Sequence, residues 1–428
     1  MLTTVRPLSK ALLVPLGASR ANKAVVEAFI EVPFESKGGK TVRPDGLLRV
    51  SYGRQDPWVA LVEVKTGTDT LTAEQLNEYW DIARSEGYDA VISISNEIAP
   101  SPGVHPVDGL RVRSNSKVAV HHLSWTMILT EAVKQKVHRG VEDPEQAWIL
   151  GELIRYLEHP SSGAMEFDDM GPNWVTVRDG AQAAQLSSRD PAVIEIAQRW
   201  DQFMRFAALR LGSETGSEVE EVVPRIHQKD PSLRTRSLVD SLVDSGRLEG
   251  AIRVPDTVAD IEFSVDFRSR QIRVSTDISA PDDRGARARV TWLVRQLDQA
   301  APNTRIEAYA KNVRTPTAAE LGELRDDSTA LLGEDRREPT RFTVVKQSQM
   351  GVHRKTGRSP GFADSVLAAI TAFYEEVMQH LAAFQRKAPV RKAPEAVQVE
   401  EPPEKRKARV WVASADAVAP PTEVHQDL

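Results

Sequence analysis

The chain has no cysteine among its 428 residues. That excludes disulfide staples, cysteine-held zinc and thiolate-held iron–sulfur clusters together, and it suits a reducing cytoplasm, the expected compartment. No apolar run approaches the ~20 residues that a helix needs to cross a bilayer, so no membrane partner is expected. Residues 11–18, ALLVPLGA, follow Arg6 and Lys10 like a short secretion signal, but Pro15 interrupts them. A glycine-rich loop ending in Gly-Lys-Ser/Thr is absent, which removes an ATP motor of that type. His353-Arg-Lys355 opens like an HxKxxxxD phosphodiesterase motif, yet the aspartate position holds Pro360. A basic coat is missing too: the formal net charge is −6, so contact with nucleic acid has to come from local patches.

With 27% charged and 41% hydrophobic residues, the chain has the composition of a protein with sizeable cores and two or three domains. Composition and pattern divide it into residues 1–140, a helical connector at 141–186, an α+β domain at 187–385, and a disordered Pro/Ala/Lys/Arg/Glu-rich tail at 386–428. In the second domain the alternation of Ile261, Phe263, Val265 and Phe267, then of Ile272, Val274, Thr276 and Ile278, predicts a hairpin. Arg284, Arg287, Thr291 and Arg295 form a helical stripe that either grips nucleic-acid backbone or is a solvated face.

Residues 41–88 hold the informative pattern. Trp58 to Lys65 is apolar on both faces until it closes in Glu63-Val64-Lys65, so it reads as a central strand that ends in charge. Alternation sends Glu63 and Lys65 to one face and Val62 and Val64 to the other. Asp45, from a preceding strand or turn, can bring a second carboxylate to that strand end. Two carboxylates, the Val64 carbonyl and a lysine suit Mg²⁺ or Mn²⁺ acting on a phosphodiester. Thr72 and Gln75 form a capping-box pattern, and Leu71 with Leu76 a hydrophobic staple, at the start of the next helix. Gln75 therefore either reaches back to its cap or joins Tyr79, one turn on, in facing the site.

Pro44-Asp45, the spacer, Glu63-Val64-Lys65 and then Gln75-Leu-Asn-Glu-Tyr79 resemble the PD-(D/E)XK nuclease superfamily, with the QxxxY extension of its RecB-like branch. The likeness covers roughly the first 130 residues. It implies an α/β, restriction-endonuclease-like core of helix, three-stranded meander, helix and strand. It also implies a metal-dependent nuclease that leaves 5′-phosphate and 3′-hydroxyl ends, usually on DNA. Asp45, Glu63 and Lys65 would then be catalytic, with Asp45, Glu63 and Val64 on the metal and Gln75, Tyr79, Lys37 and Lys40 positioning substrate. Residues 19–29 read as the first helix, on which Glu27 is either a further acid or a solvated carboxylate near Lys23. The rival expectation is a catalytically silent protein of the same fold that holds nucleic acid or a protein partner. A homo-oligomer fits the sequence as well as a monomer does.

Overall fold

Two sheets carry the chain, and the first one positions the candidate site. The computed structural model describes residues 1–36, 38–99, 104–112, 116–164, 167, 169–333, 336–354 and 361–385. Within it, Met1–Phe384 form one compact unit. Lys37 and the expected tail at 386–428 lie outside the described residues.

Helix α1 (Arg6–Leu13) opens with Pro7 in its first turn and buries the stripe Leu8, Leu12 and Leu13. Here the structure corrects the reading of residues 19–29. They are not a helix: they lead into strand β1 (Val25–Ile30), which pairs antiparallel with β4 (Gly46–Ser51). The spacing of Ala21, Val25, Ala28 and Phe29 fits either period over so few residues, and the β-branched and aromatic side chains settle on the ladder. Glu31, with φ +50°, ends β1, and a small hairpin of β2 (Phe34–Glu35) and β3 (Thr41–Val42) follows.

β4 pairs antiparallel with β5 (Trp58–Val64), completing a three-stranded meander. Helix α2 (Ala73–Glu86) then crosses over to β6 (Ala90–Ser95), which runs parallel to β5, as does β7 (Ala119–Ser124) to β6. A parallel return requires such a crossover. The order is β1-β4-β5-β6-β7. α2 packs Leu76, Tyr79, Ile82 and Ala83 over Leu47, Leu61 and Val91 on one face. On the other, α1 is joined by α3 (Trp125–Val133) and α4 (Pro144–Glu158) over Leu48, Ala60, Val62 and Ile92. All six residues of β6 are buried, Ser93 and Ser95 among them, as in a strand covered on both faces.

The expected connector is more ordered than a linker. It holds α4, capped by Asp143, and α5 (Trp174–Gln182), whose Trp174 is fully buried in the second core. Next come α6 (Pro191–Thr215), capped by Asp190, β8 (Glu220–Glu221), α7 (Arg225–Lys229) and α8 (Pro231–Ser245). The antiparallel sheet continues with β9 (Arg247–Arg253), β10 (Ile261–Asp266) and β11 (Gln271–Ser279). Then follow α9 (Ala286–Val294), β12 (Arg305–Ala310), β13 (Thr317–Glu320), α10 (Leu321–Asp326), β14 (Pro339–Gln349) and α11 (Phe362–Glu376). Its order is β13-β12-β14-β11-β10-β9-β8. One face packs on helices around Trp174, Trp200, Phe203, Phe267 and Phe362; the other carries Glu262, Arg273, Asp277, Tyr309 and Arg341 beside solvent. α11 ends at Glu376 and is followed by a 3₁₀ turn at Met378–His380. Arg284, Arg287 and Arg295 are exposed around α9, with Arg284 stacked on Phe384.

Candidate active site

The site forms where β5 ends. Lys65 is bolted there by its main chain: its N–H donates to the Ile94 carbonyl at 2.8 Å, and its carbonyl accepts the Trp125 indole N–H at 2.9 Å. The loop beyond is held as firmly. Gly67 N–H donates to the Gly163 carbonyl at 2.8 Å, and the Asn96 side-chain amide donates to both the Gly67 and Gly163 carbonyls. Residues 66–72 therefore enter α2 at a fixed angle.

Glu63 is only 2% exposed. Its Oε1 accepts the Lys65 ammonium at 2.6 Å and the Gln75 side-chain amide at 2.7 Å. The same Gln75 amide donates to the Tyr79 hydroxyl at 3.0 Å. Thr72 does cap α2, its hydroxyl accepting the Gln75 N–H at 3.3 Å, but the Gln75 side chain turns to Glu63 instead of closing the box. Asp45 comes in from the turn before β4, where its Oδ2 accepts the Val64 N–H at 2.7 Å. In a strand a residue's N–H and C=O leave on the same side, so the Val64 carbonyl opens toward Asp45 as well.

Two sequence candidates fall elsewhere. Glu27 sits opposite Arg49 on β4, with the two charged groups 3.9 Å apart. That is the Val59 end of the sheet, four residues from Glu63 along β5 and two strands across, hence about 13 Å in the strand direction alone. Lys40 is exposed in the β2–β3 hairpin, where its carbonyl accepts the Ser36 N–H. Lys37 lies outside the described residues.

The charges are coupled. The bond to Glu63 raises the Lys65 pKa; partial burial opposes this, and the negative charges of Glu63, Asp45 and Asp69 add to it. Lys65 is therefore an ammonium at neutral pH. Burial pushes the Tyr79 phenol up, against the bond from Gln75.

Beside Glu63 the sheet register places Ser93, and beside Ser93, His122. Ser93 Oγ lies 2.8 Å from His105 Nε2 and 2.9 Å from His122 Nδ1. Neighbouring atoms fix both tautomers. His105 Nδ1 accepts the Val107 N–H, so its Nε2 donates to Ser93; His122 Nε2 donates to the Glu97 carbonyl, so its Nδ1 accepts the Ser93 hydroxyl. Burial holds both imidazoles neutral, with values pushed down to about 4. The sequence offered one trace of this network: Ser93 and Ser95, two serines on the Glu63 face of a strand that is apolar elsewhere. Asp69, Asn96 and Trp125 carried no comparable signal.

One atom tests whether a divalent cation suits these residues. Glu63 Oε2 is buried and has no hydrogen-bond partner among the described residues. An unpartnered buried carboxylate oxygen is a donor that suits a hard cation, and Asp45, held on the Val64 N–H next along the strand, is a second oxygen donor of the same kind, so the residue types fit. Among the described residues no group of three or more aspartate, glutamate or histidine side chains converges for a metal, which leaves two carboxylates. No family model matches the chain, and no curated protein or solved structure does either.

Proposed function

We propose that the chain is a metal-dependent phosphodiester hydrolase of the PD-(D/E)XK type, with a restriction-endonuclease-like core in residues 1–140 and DNA as its expected substrate. The observation that carries the reading is Glu63: a carboxylate withdrawn from water, fixed on one oxygen by Lys65 and Gln75, and unpartnered on the other. The order of α1, the β1-β4-β5 meander, α2 and β6 supports it.

In this reading Asp45, Glu63 and the Val64 carbonyl would hold Mg²⁺ or Mn²⁺, which when bound polarises the phosphate and lowers the pKa of a water. The protein's own contribution is orientation and charge. Gln75 and Lys65 lock the Glu63 rotamer, and Tyr79 anchors Gln75. The Lys65 ammonium orients the attacking water and offsets the negative charge that builds on phosphorus as the water O–P bond forms and the P–O3′ bond breaks. As an ammonium it is a poor proton acceptor.

A plasmid-nicking and single-strand digestion assay with Mg²⁺, Mn²⁺ or EDTA tests this. Cleavage should require metal and be lost in Lys65→Ala. The direct Lys65–Glu63 bond also favours a second reading, in which the two charges merely neutralise each other and the fold only binds nucleic acid or a partner protein. Binding that is indifferent to EDTA, with no product from either chain, would decide for that reading.

A further inference from the structure

Glu63 Oε2 is buried and takes no hydrogen bond among the described residues, although a hydroxyl stands on the next strand. Parallel pairing sets Ser93 of β6 beside Glu63 of β5, with both side chains on one face of the sheet. A serine hydroxyl with no other claim on its proton turns to such an oxygen, because a bond to a charged acceptor is the stronger one. Ser93 does not.

Two imidazoles decide where the single Ser93 proton goes. His122 Nε2–H donates to the Glu97 carbonyl at 2.7 Å, which leaves Nδ1 as a bare acceptor 2.9 Å from Ser93 Oγ. His105 accepts the Val107 N–H on Nδ1 at 3.1 Å, so its Nε2–H enters a Ser93 lone pair at 2.8 Å. Burial keeps both rings neutral, and the His122 Nδ1 therefore stays an acceptor. The His121 carbonyl, at 3.4 Å, is a longer alternative for the same proton. Both acceptors belong to β7, on the far side of β6 from Glu63. Ser95, the next serine on that face, is turned aside too: its hydroxyl donates to the Glu97 carboxylate at 3.4 Å.

We infer that Ser93, His122 and His105 are positioning residues for the candidate site: together they draw the Ser93 proton toward β7 and so keep Glu63 Oε2 open for a divalent cation. The inference rests on the reading of Glu63 as a metal ligand. None of the three residues needs to touch the cation. Their arrangement accounts for a buried carboxylate oxygen that stays unpartnered beside a hydroxyl, which is otherwise an anomaly.

Calorimetric titration of the full chain with Mn²⁺ tests this without any turnover. His122→Phe removes the acceptor, frees the Ser93 hydroxyl to turn to Glu63, and should weaken Mn²⁺ binding about tenfold, the scale of one hydrogen bond to a charged group. Ser93→Ala should bind Mn²⁺ as the wild type does, and adding it to His122→Phe should restore the affinity. If His122 served packing alone, its loss would be left in place or deepened by the second substitution. His122→Asn, whose side-chain oxygen can stand where Nδ1 stands, should keep the wild-type affinity, and it carries the test if His122→Phe fails to fold by circular dichroism. Imidazole nitrogen NMR of the metal-free wild type gives a second readout. His105 and His122 should each hold their proton on Nε2 at neutral pH, and the His122 Nδ1 signal should move in Ser93→Ala. A proton on His122 Nδ1 overturns the inference, as does a His122→Phe chain that binds Mn²⁺ as tightly as the wild type. A wild type that binds no Mn²⁺ is a distinct result: it removes Glu63 as a ligand, and this inference with it.

Discussion

Glu63 in the first sheet and Glu221 in the second both have side chains withdrawn from water, with different surroundings. Glu63 closes β5 with two donors on one oxygen, one of them the half-solvated Lys65. Glu221, on β8, is equally withdrawn, yet neither of its oxygens has a hydrogen-bond partner among the described residues. Arg234 stands 3.7 Å away but spends its best geometry on Asp201, at 2.9 Å. Burial therefore pushes Glu221 up to about 8, with Asp201 adding to the rise and Arg234 and Arg205 opposing it. Glu221 is thus held in its neutral form up to about pH 8, whereas Glu63 has the Lys65 ammonium and the Gln75 amide on one oxygen. The first sheet places its acid where parallel strands end and loops converge, and the antiparallel sheet has no such open end at β8.

The largest expected effect separates the two acids by activity. Lys65→Ala should lower cleavage by about a thousandfold or more with nucleic-acid binding retained, and Glu63→Gln should do likewise, whereas Glu221→Gln should leave cleavage unchanged. Nicking rates beside a binding isotherm measure this; an equal loss in Glu221→Gln would erase the contrast.

Next comes pH. Glu221 has a folded value raised above its ordinary 4.5, so its contribution to stability is fully present below about 4.5 and is lost as pH rises through about 8. His105 and His122 are depressed from 6.5 to about 4, so theirs is present above 6.5 and is lost as pH falls through about 4. Hydrogen exchange should accordingly find the second sheet weakening toward alkali and the first toward acid, each by up to a few kcal/mol. Glu221→Gln should flatten only the fall in stability between about pH 4.5 and about 8.

A smaller effect divides cap from site. Gln75→Ala should slow cleavage about tenfold, the scale of one lost positioning bond, with little change in Tm. Thr72→Ala should remove about 1 kcal/mol of stability with the rate nearly intact. Glu27→Gln should change neither rate nor Tm measurably, because its exposed pair with Arg49 contributes little.

The site was more legible than the fold around it. Glu63 and Lys65 could be seen because charge ending a doubly apolar strand breaks its own pattern, and Thr72 because caps are local. β1 was misread because an edge strand, wet on both faces, shows no alternation, and its few apolar residues fit a helix as well. The Ser93–His105–His122 chain could not be read from spacing, since a parallel register and a loop bring its members together. The aromatic core of the second sheet was equally hidden: Trp174 lies in what looked like a connection, far in sequence from Phe267 and Phe362.

Short-range chemistry thus wrote the elements: caps at Thr72, Ser124, Asp143 and Asp190, the hairpin at β10–β11, and the strand that ends in Glu63 and Lys65. What the sequence left open was which of two satisfying bonds Gln75 would make, whether Glu27 would reach the site, and which buried glutamate would find hydrogen-bond donors. Those were decided by packing, because a side chain's partners and its access to water depend on strands and loops that meet only when the sheets are assembled.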